Sequence, residues 1–218
     1  MDILLFGATG DVGRATVQQA IERGHRVTAI ARNPDLRGPL GNQLVTPLAL
    51  DVLTSAEQLA DLARRHHIII SALRPVAGQD ALLVALTQAV LQAAEAGNIP
   101  ALITGGAALL KLADGSGETV LSAPGFLPDT VRPIAEACAA QDHLLESTSH
   151  VDWTCLRPPA MLQEGERRGR YEWGTDTLVT DADGLSQISF ADFGGALMDL
   201  AEQQNRPEKR LTVAWGTA

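Results

Sequence analysis

The stretch "LLFGATGDVGRA", Leu4 to Ala15, constrains the fold of this chain more than any other. An apolar run of strand length ends at Gly7, glycines recur at Gly10 and Gly13, and an amphipathic helical pattern begins at once. In such a turn the first glycine makes the tight bend, the second lets backbone approach a pyrophosphate, and the third lets the helix pack close on the strand. The turn also aims the unpaired N–H groups and the positive dipole end of the helix at a phosphate. Between a strand and a helix of a βαβ unit, this spacing predicts a bound dinucleotide.

The rest of the chain continues the alternation. Strand-like runs cover 3–6, 26–31, 43–48, 67–71, 99–104, 151–156 and 210–215, and helical patterns cover about 11–23, 55–64, 79–96, 132–148 and 189–203. That order predicts an α/β fold: a doubly wound, mostly parallel sheet with helices on both faces. Ser55 with Gln58, and Ser189 with Asp192, have capping-box-like spacing, and Gly97 reads as the stop of the third helix. Two segments break the pattern. One is the glycine- and proline-rich stretch 105–130; the other, 157–184, reads as a loop and then a hairpin turning near Gly174. Both follow strands directly, where an open α/β sheet binds its ligands, so they are the expected substrate walls, the second extending to about 188.

With 218 residues, 45% of them hydrophobic, a single domain over 1–218 is expected. No tract of ~18 apolar residues predicts a membrane span. "MDILLF" runs straight into the turn without a signal-type segment, and Cys138 and Cys155 form no CxxC, so the expected compartment is the cytoplasm. A formal charge of −9 opposes binding to nucleic acid. Monomer and dimer both stay open.

The end of the second strand bears on the cofactor. An acidic residue ~20 positions beyond the glycines would bind an NAD ribose, whereas an arginine accommodates a 2′-phosphate. In "RVTAIARNP" that end carries Arg32 and no carboxylate, with Asp35 close by, so NADP is favoured and NAD stays open. A planar guanidinium can stack on adenine and pair with phosphate. Asp51, in "LALDVL", can accept from the adenine amino group. "SALRP" brings Ser71, Ala72 and Leu73 past the ribose and pyrophosphate and offers Arg74 as a further phosphate contact. Candidate walls for an acceptor are Phe126, Leu127, Trp153, Tyr171 and Trp173, with Tyr171 and Trp173 on one face of the expected hairpin. Arg167, Arg168 and Arg170 form a compact basic group that could guide an anionic substrate. His66 and His67 point to opposite faces before a strand, and no metal site is expected.

Together "FGATGDVG", the arginine in "ARNP", "DVL", "SALRP", "ITGGA", "VDWTCLRPP" and "GTDTLVTDADGLSQISFADFGGAL" resemble the atypical short-chain dehydrogenase/reductases. More narrowly, the chain is similar over nearly its whole length to NAD(P)H-binding proteins often described as NADH-flavin reductases, relatives of the biliverdin-IXβ/flavin reductases. The resemblance implies a Rossmann core with NAD(P) across the strand ends. By motif position it implies cofactor contacts at Gly7, Thr9, Gly10, Asp11, Val12, Gly13, Arg32, Asp51, Val52, Ser71, Ala72, Leu73 and Arg74. Gly105, Gly106, Arg157 and Pro158 would lie near the nicotinamide.

The departures narrow the chemistry. Typical short-chain dehydrogenases use a Tyr-x-x-x-Lys proton donor, but the one tyrosine here, Tyr171, is followed four residues later by Thr175; Leu109 replaces a serine that many relatives carry. Carbonyl reduction must protonate an alkoxide in place. A flavin ring spreads the charge of an incoming hydride and leaves the proton to solvent, so positioning suffices. The expected activity is an NADPH-preferring oxidoreductase acting on a flavin or similar conjugated small molecule. Thr104, His143 and Tyr171 are the candidates for a polar or proton-handling role. Two alternatives stay open: an NADP(H)-binding redox sensor without turnover, and a nucleotide-sugar epimerase or dehydratase.

Overall fold

The computed structural model describes residues 1–34, 37–206 and 208–217. In chain order the elements are β1 (Asp2–Phe6), α1 (Asp11–Glu22), β2 (Arg26–Ala31), β3 (Val45–Ala49), α2 (Ala56–Ala63), β4 (Ile68–Ser71), α3 (Leu82–Gly97) and β5 (Ala101–Thr104). There follow α4 (Arg132–Glu146), β6 (Trp153–Arg157), β7 (Met161–Gln163), β8 (Glu172–Gly174), β9 (Gln187–Ser189), α5 (Phe190–Glu202) and β10 (Arg210–Ala214). Eight strands pair in the order β3-β2-β1-β4-β5-β6-β10-β8, all parallel except β8, which runs antiparallel to β10. The order reverses between β1 and β4, as in a doubly wound Rossmann sheet.

The apolar pattern of the strands explains this sheet. In β4 the run Ile68-Ile69-Ile70 is buried throughout, Ile68 and Ile70 in one core and Ile69 in the other. Each such burial contributes ~1.5–3 kcal/mol, enough to hold a four-residue strand at the centre. The first core lies under α1 and α5 and includes Leu5, Val17, Phe193 and Val213. The second includes Phe6, Leu59, Val90 and Leu145, beneath α2, α3 and α4. β3 is an edge strand, where Pro47 is tolerated because one of its sides needs no ladder donor. Among the described residues no helix is long and apolar enough to cross a membrane.

Some local expectations need correction. No hairpin turns near Gly174: β7 pairs in parallel with β9, and β8 instead covers the free edge of β10, with Trp173 opposite Val213. Ser55 stands at the N-terminus of α2 without a side-chain cap, whereas the Ser189 hydroxyl accepts from the Asp192 N–H. Gly97 is the last residue of α3 rather than its left-handed stop, which is Asn98 at φ 50°. A side chain at 97 would stand 2.8 Å from the Ala63 Cβ, so this glycine serves helix packing.

Candidate functional site

Because β1 to β6 run in parallel, the residues that follow them stand along one edge of the sheet. In sheet order the row reads Asp51 and Val52 after β3, Arg32 after β2, Gly7 after β1, Ala72 to Arg74 after β4, Gly105 and Gly106 after β5, and Pro158 after β6. Register keeps the row tight: Phe6 lies opposite both Ile30 and Ser71, Ser71 opposite Ile103, and Thr104 opposite Leu156.

The three glycines of the first turn differ physically. Gly7 has φ +77°, its N–H donates to the Ile30 carbonyl at 3.1 Å, and a Cβ there would lie 2.5 Å from the Ala72 oxygen. At Gly13 a Cβ would lie 2.1 Å from the Gly7 oxygen, so helix and turn touch only because it is absent. Gly10 has an extended backbone that any residue adopts, and a Cβ there would find only the Gly7 oxygen at 3.6 Å. Nothing inside the protein demands a glycine at 10; the missing side chain leaves an open cradle at the N-terminus of α1. No side chain caps that helix, and among the described residues the N–H groups of Asp11 and Val12 meet no acceptor. A pyrophosphate fits such a cradle, needing donors, a positive dipole end and room.

Around the loop after β2, Arg32 is exposed, and Arg14 donates to the carbonyls of Thr9 and Arg37, each at 3.1 Å. Three arginines thus flank this loop. Only Arg32 was readable from its strand-end position; the signal for Arg14 is its place directly after Gly13, where its helix faces the loop. Asp35 lies outside the described residues. Asp51 is partly committed to its own turn, accepting from the Leu53 N–H at 2.9 Å, while Val52 is buried beneath it.

The turn after β5 rests on two thiols. A Cβ at Gly105 would lie 2.6 Å from Cys155 Sγ, and one at Gly106 would lie 2.4 Å from Cys138 Sγ. Burial pushes the Cys138 thiol up to about 11 and the Cys155 thiol up to about 12, so both are protonated, inert supports at neutral pH. The chain beyond forms its own small core of Leu110, Val120 and Leu178, with Lys111 bridging to Thr119 and Thr177. Val76, Leu82 and Phe126 expose apolar side chains on the segments that follow β4 and β5.

Several expected site residues have other positions. The Arg157 side chain is buried, and its Nη2 donates to the Thr175 carbonyl at 2.6 Å and to Asp176 at 3.3 Å. It ties the 175–178 segment to β6 rather than offering a free guanidinium. Thr104 ends β5 with its hydroxyl buried and without a hydrogen-bond partner. His143 is exposed in the last turn of α4, which leads to the start of β6, the edge opposite the row. Tyr171 does share a face with Trp173, their rings 5.8 Å apart edge to face, but that face packs on the α1 and α5 side. Its hydroxyl donates to Asp199 of α5. Burial first, then the Asp199 carboxylate, push the phenol well above its ordinary range, so it is a poor acid. Trp153 is core, its indole N–H donating to the Thr148 carbonyl at 2.9 Å.

A family model for NAD(P)H-binding proteins matches residues 7–204. The chain is 31% identical over 215 residues to YwnB of Bacillus subtilis, a protein described as uncharacterized, and the match covers 98% of each. A solved structure from Burkholderia pseudomallei, described provisionally as an exported protein, is similar with TM-score 0.85 and 31% identity over 99% of this chain and 100% of that one. Another from Streptococcus pneumoniae, described provisionally as an NADH-flavin reductase, is similar with TM-score 0.86 and 26% identity over 99% of each chain. With the glycine turn, the strand-end row and a family match running over most of the chain, this chain belongs to the NAD(P)H-binding family.

Proposed function

We propose that the protein is a reductase that prefers NADPH and passes a hydride to a flavin or a similar conjugated small molecule. The observation that carries this reading is the commitment of the chain's one tyrosine to Asp199 on the α5 side. With no Tyr-x-x-x-Lys pair, chemistry that must protonate an alkoxide in place lacks its donor, and this also speaks against an epimerase. A conjugated acceptor asks only to be positioned.

In this reading the N–H groups of Asp11 and Val12 hold the pyrophosphate, Gly7 and Gly13 shape the turn, and Thr9 and Gly10 border the cradle. Arg32 binds the 2′-phosphate in the field of Arg14 and Arg37. Asp51 and Val52 border the adenine, Ser71, Ala72, Leu73 and Arg74 follow the ribose and phosphates, and Thr104, Gly105, Gly106 and Pro158 floor the nicotinamide. When bound, the reduced nicotinamide supplies the hydride. Val76, Leu82 and Phe126 offer apolar surface to the acceptor ring and exclude water from it. Arg157 acts as a positioning residue through Thr175. Two free, protonated thiols fit a reducing compartment such as the cytoplasm.

The test is NADPH and NADH oxidation with FMN, riboflavin and a quinone, for the wild type and Arg32→Ala. Turnover with an NADPH preference is expected. Loss of a charge-assisted contact of ~1.5–3 kcal/mol should weaken NADPH about 10- to 100-fold in the variant and leave NADH unchanged. Tight NADPH binding without turnover on any acceptor would overturn the reductase in favour of a sensor.

A further inference from the structure

The basic group Arg167, Arg168 and Arg170 is not in the strand-end row. Its loop is fixed elsewhere by one buried carboxylate: Asp192 of α5 accepts from the Arg168 N–H at 3.0 Å, the Gly169 N–H at 2.8 Å and the Trp215 indole N–H at 2.8 Å. With main chain held on both sides, the side chains project from a rigid base. The Arg168 guanidinium lies over the Trp215 ring, 3.4 Å from its centroid.

Beside this stack is a cavity of about 380 Å³ lined by Arg168, Arg170, Tyr171, Glu172, Asp199 and Trp215, closed by Gly169 and Gly216. Its two acids already have donors. Asp199 is paired with Arg23 at 2.8 Å and accepts from the Tyr171 hydroxyl; Glu172 accepts from the Thr217 N–H at 2.9 Å. Its arginines have no carboxylate at ion-pair distance among the described residues, although Arg168 is near enough to Asp181 to help lower that carboxyl. Arg23, Arg26, Arg64, Arg157, Arg206 and Arg210 each meet a carboxylate, but among the described residues the guanidiniums of Arg168 and Arg170 meet none. In a chain with 26 acids and 17 bases, two such forks on one rigid cavity leave a local surplus of donors.

We infer that this cavity is a second binding site, for a small molecule carrying a phosphate or carboxylate group, with Arg168 and Arg170 as its oxyanion ligands. A guanidinium presents parallel N–H donors that match two oxygens of either group. Trp215 keeps the Arg168 plane in place, and the Tyr171 and Trp215 rings supply apolar wall for the body of the molecule. No residue of the strand-end row lines the cavity, which opens on the α5 side near the β8 edge. The site does not rest on the reductase reading.

The experiment is calorimetric titration with inorganic pyrophosphate and, separately, with citrate, at low and moderate salt. It compares the wild type, Arg168→Met/Arg170→Met and Gly10→Ala, which closes the strand-end cradle, with thermal unfolding as the check on folding. Binding of at least one probe by the wild type is expected, at least tenfold weaker in the double variant, kept in Gly10→Ala and weakened by salt. The inference is overturned if neither probe binds at millimolar concentration. It is equally overturned if binding survives undiminished in the double variant, and its loss in Gly10→Ala would then place the anion at the strand ends. A wild type that binds pyrophosphate as expected but not NADPH would sink the cofactor reading and leave this one standing.

Discussion

The glycine turn after β1 and the Gly105–Gly106 turn after β5 end strands only two places apart, yet they are built in opposite ways. After β1, Gly7 and Gly13 are hemmed by main-chain atoms, and Gly10 is left facing outward with nothing over it. After β5, both glycines are filled from beneath by thiols, and the chain runs on into a separate small core stitched to the 175–178 segment. The first turn is therefore shaped by backbone alone and would look the same with other side chains around it. The second is shaped by its neighbours. In the proposed function the first would take a constant fragment of the cofactor and the second a variable acceptor.

The largest effect that could break this contrast is on stability. Gly13→Ala puts a methyl 2.1 Å from the Gly7 oxygen, a main-chain atom that no side-chain rotation can move away. It should cost about 3 kcal/mol, or roughly 6–12 °C in Tm for a chain of this size. Thermal unfolding with an unchanged Tm would mean that the turn can open, and the backbone account of it would fail.

Arg157→Met probes the other turn. It removes a buried guanidinium from the Thr175 carbonyl and Asp176, and should destabilise by about 2 kcal/mol. Steady-state kinetics should show a raised KM for the acceptor with NADPH affinity unaltered; weakened NADPH binding instead would return Arg157 to the cofactor's contacts.

Tyr171 sharpens the claim that no phenol serves the acceptor side. As the chain's one tyrosine, it can be titrated by its ultraviolet absorbance alone. Its folded pKa lies above the ordinary value of 10.0, so its contribution is fully present at neutral pH and is lost as pH rises through the folded value. Phenolate should not form near pH 10 while the protein stays folded, and Asp199→Asn should bring the midpoint down. A midpoint at or below 10 in the wild type would put Tyr171 back among the proton donors.

The smallest effect is a control away from both turns, where α1 ends and β2 begins. Burial opposes the charge on Glu202, but hydrogen bonds from His25 and Arg23 outweigh it and hold the carboxyl below 4.5. Its contribution is present above that value and fades as pH falls through the folded one. For so exposed a group it is on the order of 0.5 kcal/mol. Glu202→Gln should therefore lose this much at pH 7 and less at pH 3 by chemical denaturation, with cofactor binding unmoved.

The legibility of the molecule divides along the same line. β2 was readable to the residue, and the seven parallel strands were found because buried parallel strands are apolar runs separated by amphipathic helices. The glycine turn was legible because local backbone geometry specifies it. The pairing of β8 with β10 was not: three residues joining an edge 38 positions later leave no local pattern, and the aromatic alternation of Tyr171 and Trp173 fits a hairpin equally well. The partners of Arg157 were hidden for a related reason, although it does pack against Gly105. Its number places it at a strand end, but its guanidinium reaches the Thr175 carbonyl in the 175–178 segment. Likewise the arginine group was visible as charge, while its place on the α5 side depends on a single buried carboxylate, Asp192.

The central claim is that the open cradle at Gly10 exists for a dinucleotide. NADPH binding by Gly10→Ala, measured by calorimetry beside its thermal unfolding, tests it most directly. The added methyl meets no protein atom closer than 3.6 Å, so Tm should stay within a few degrees of the wild type while NADPH affinity falls at least tenfold. A variant that is equally stable and binds NADPH as well as the wild type would contradict the account, because the cradle would then be empty space and not a binding surface.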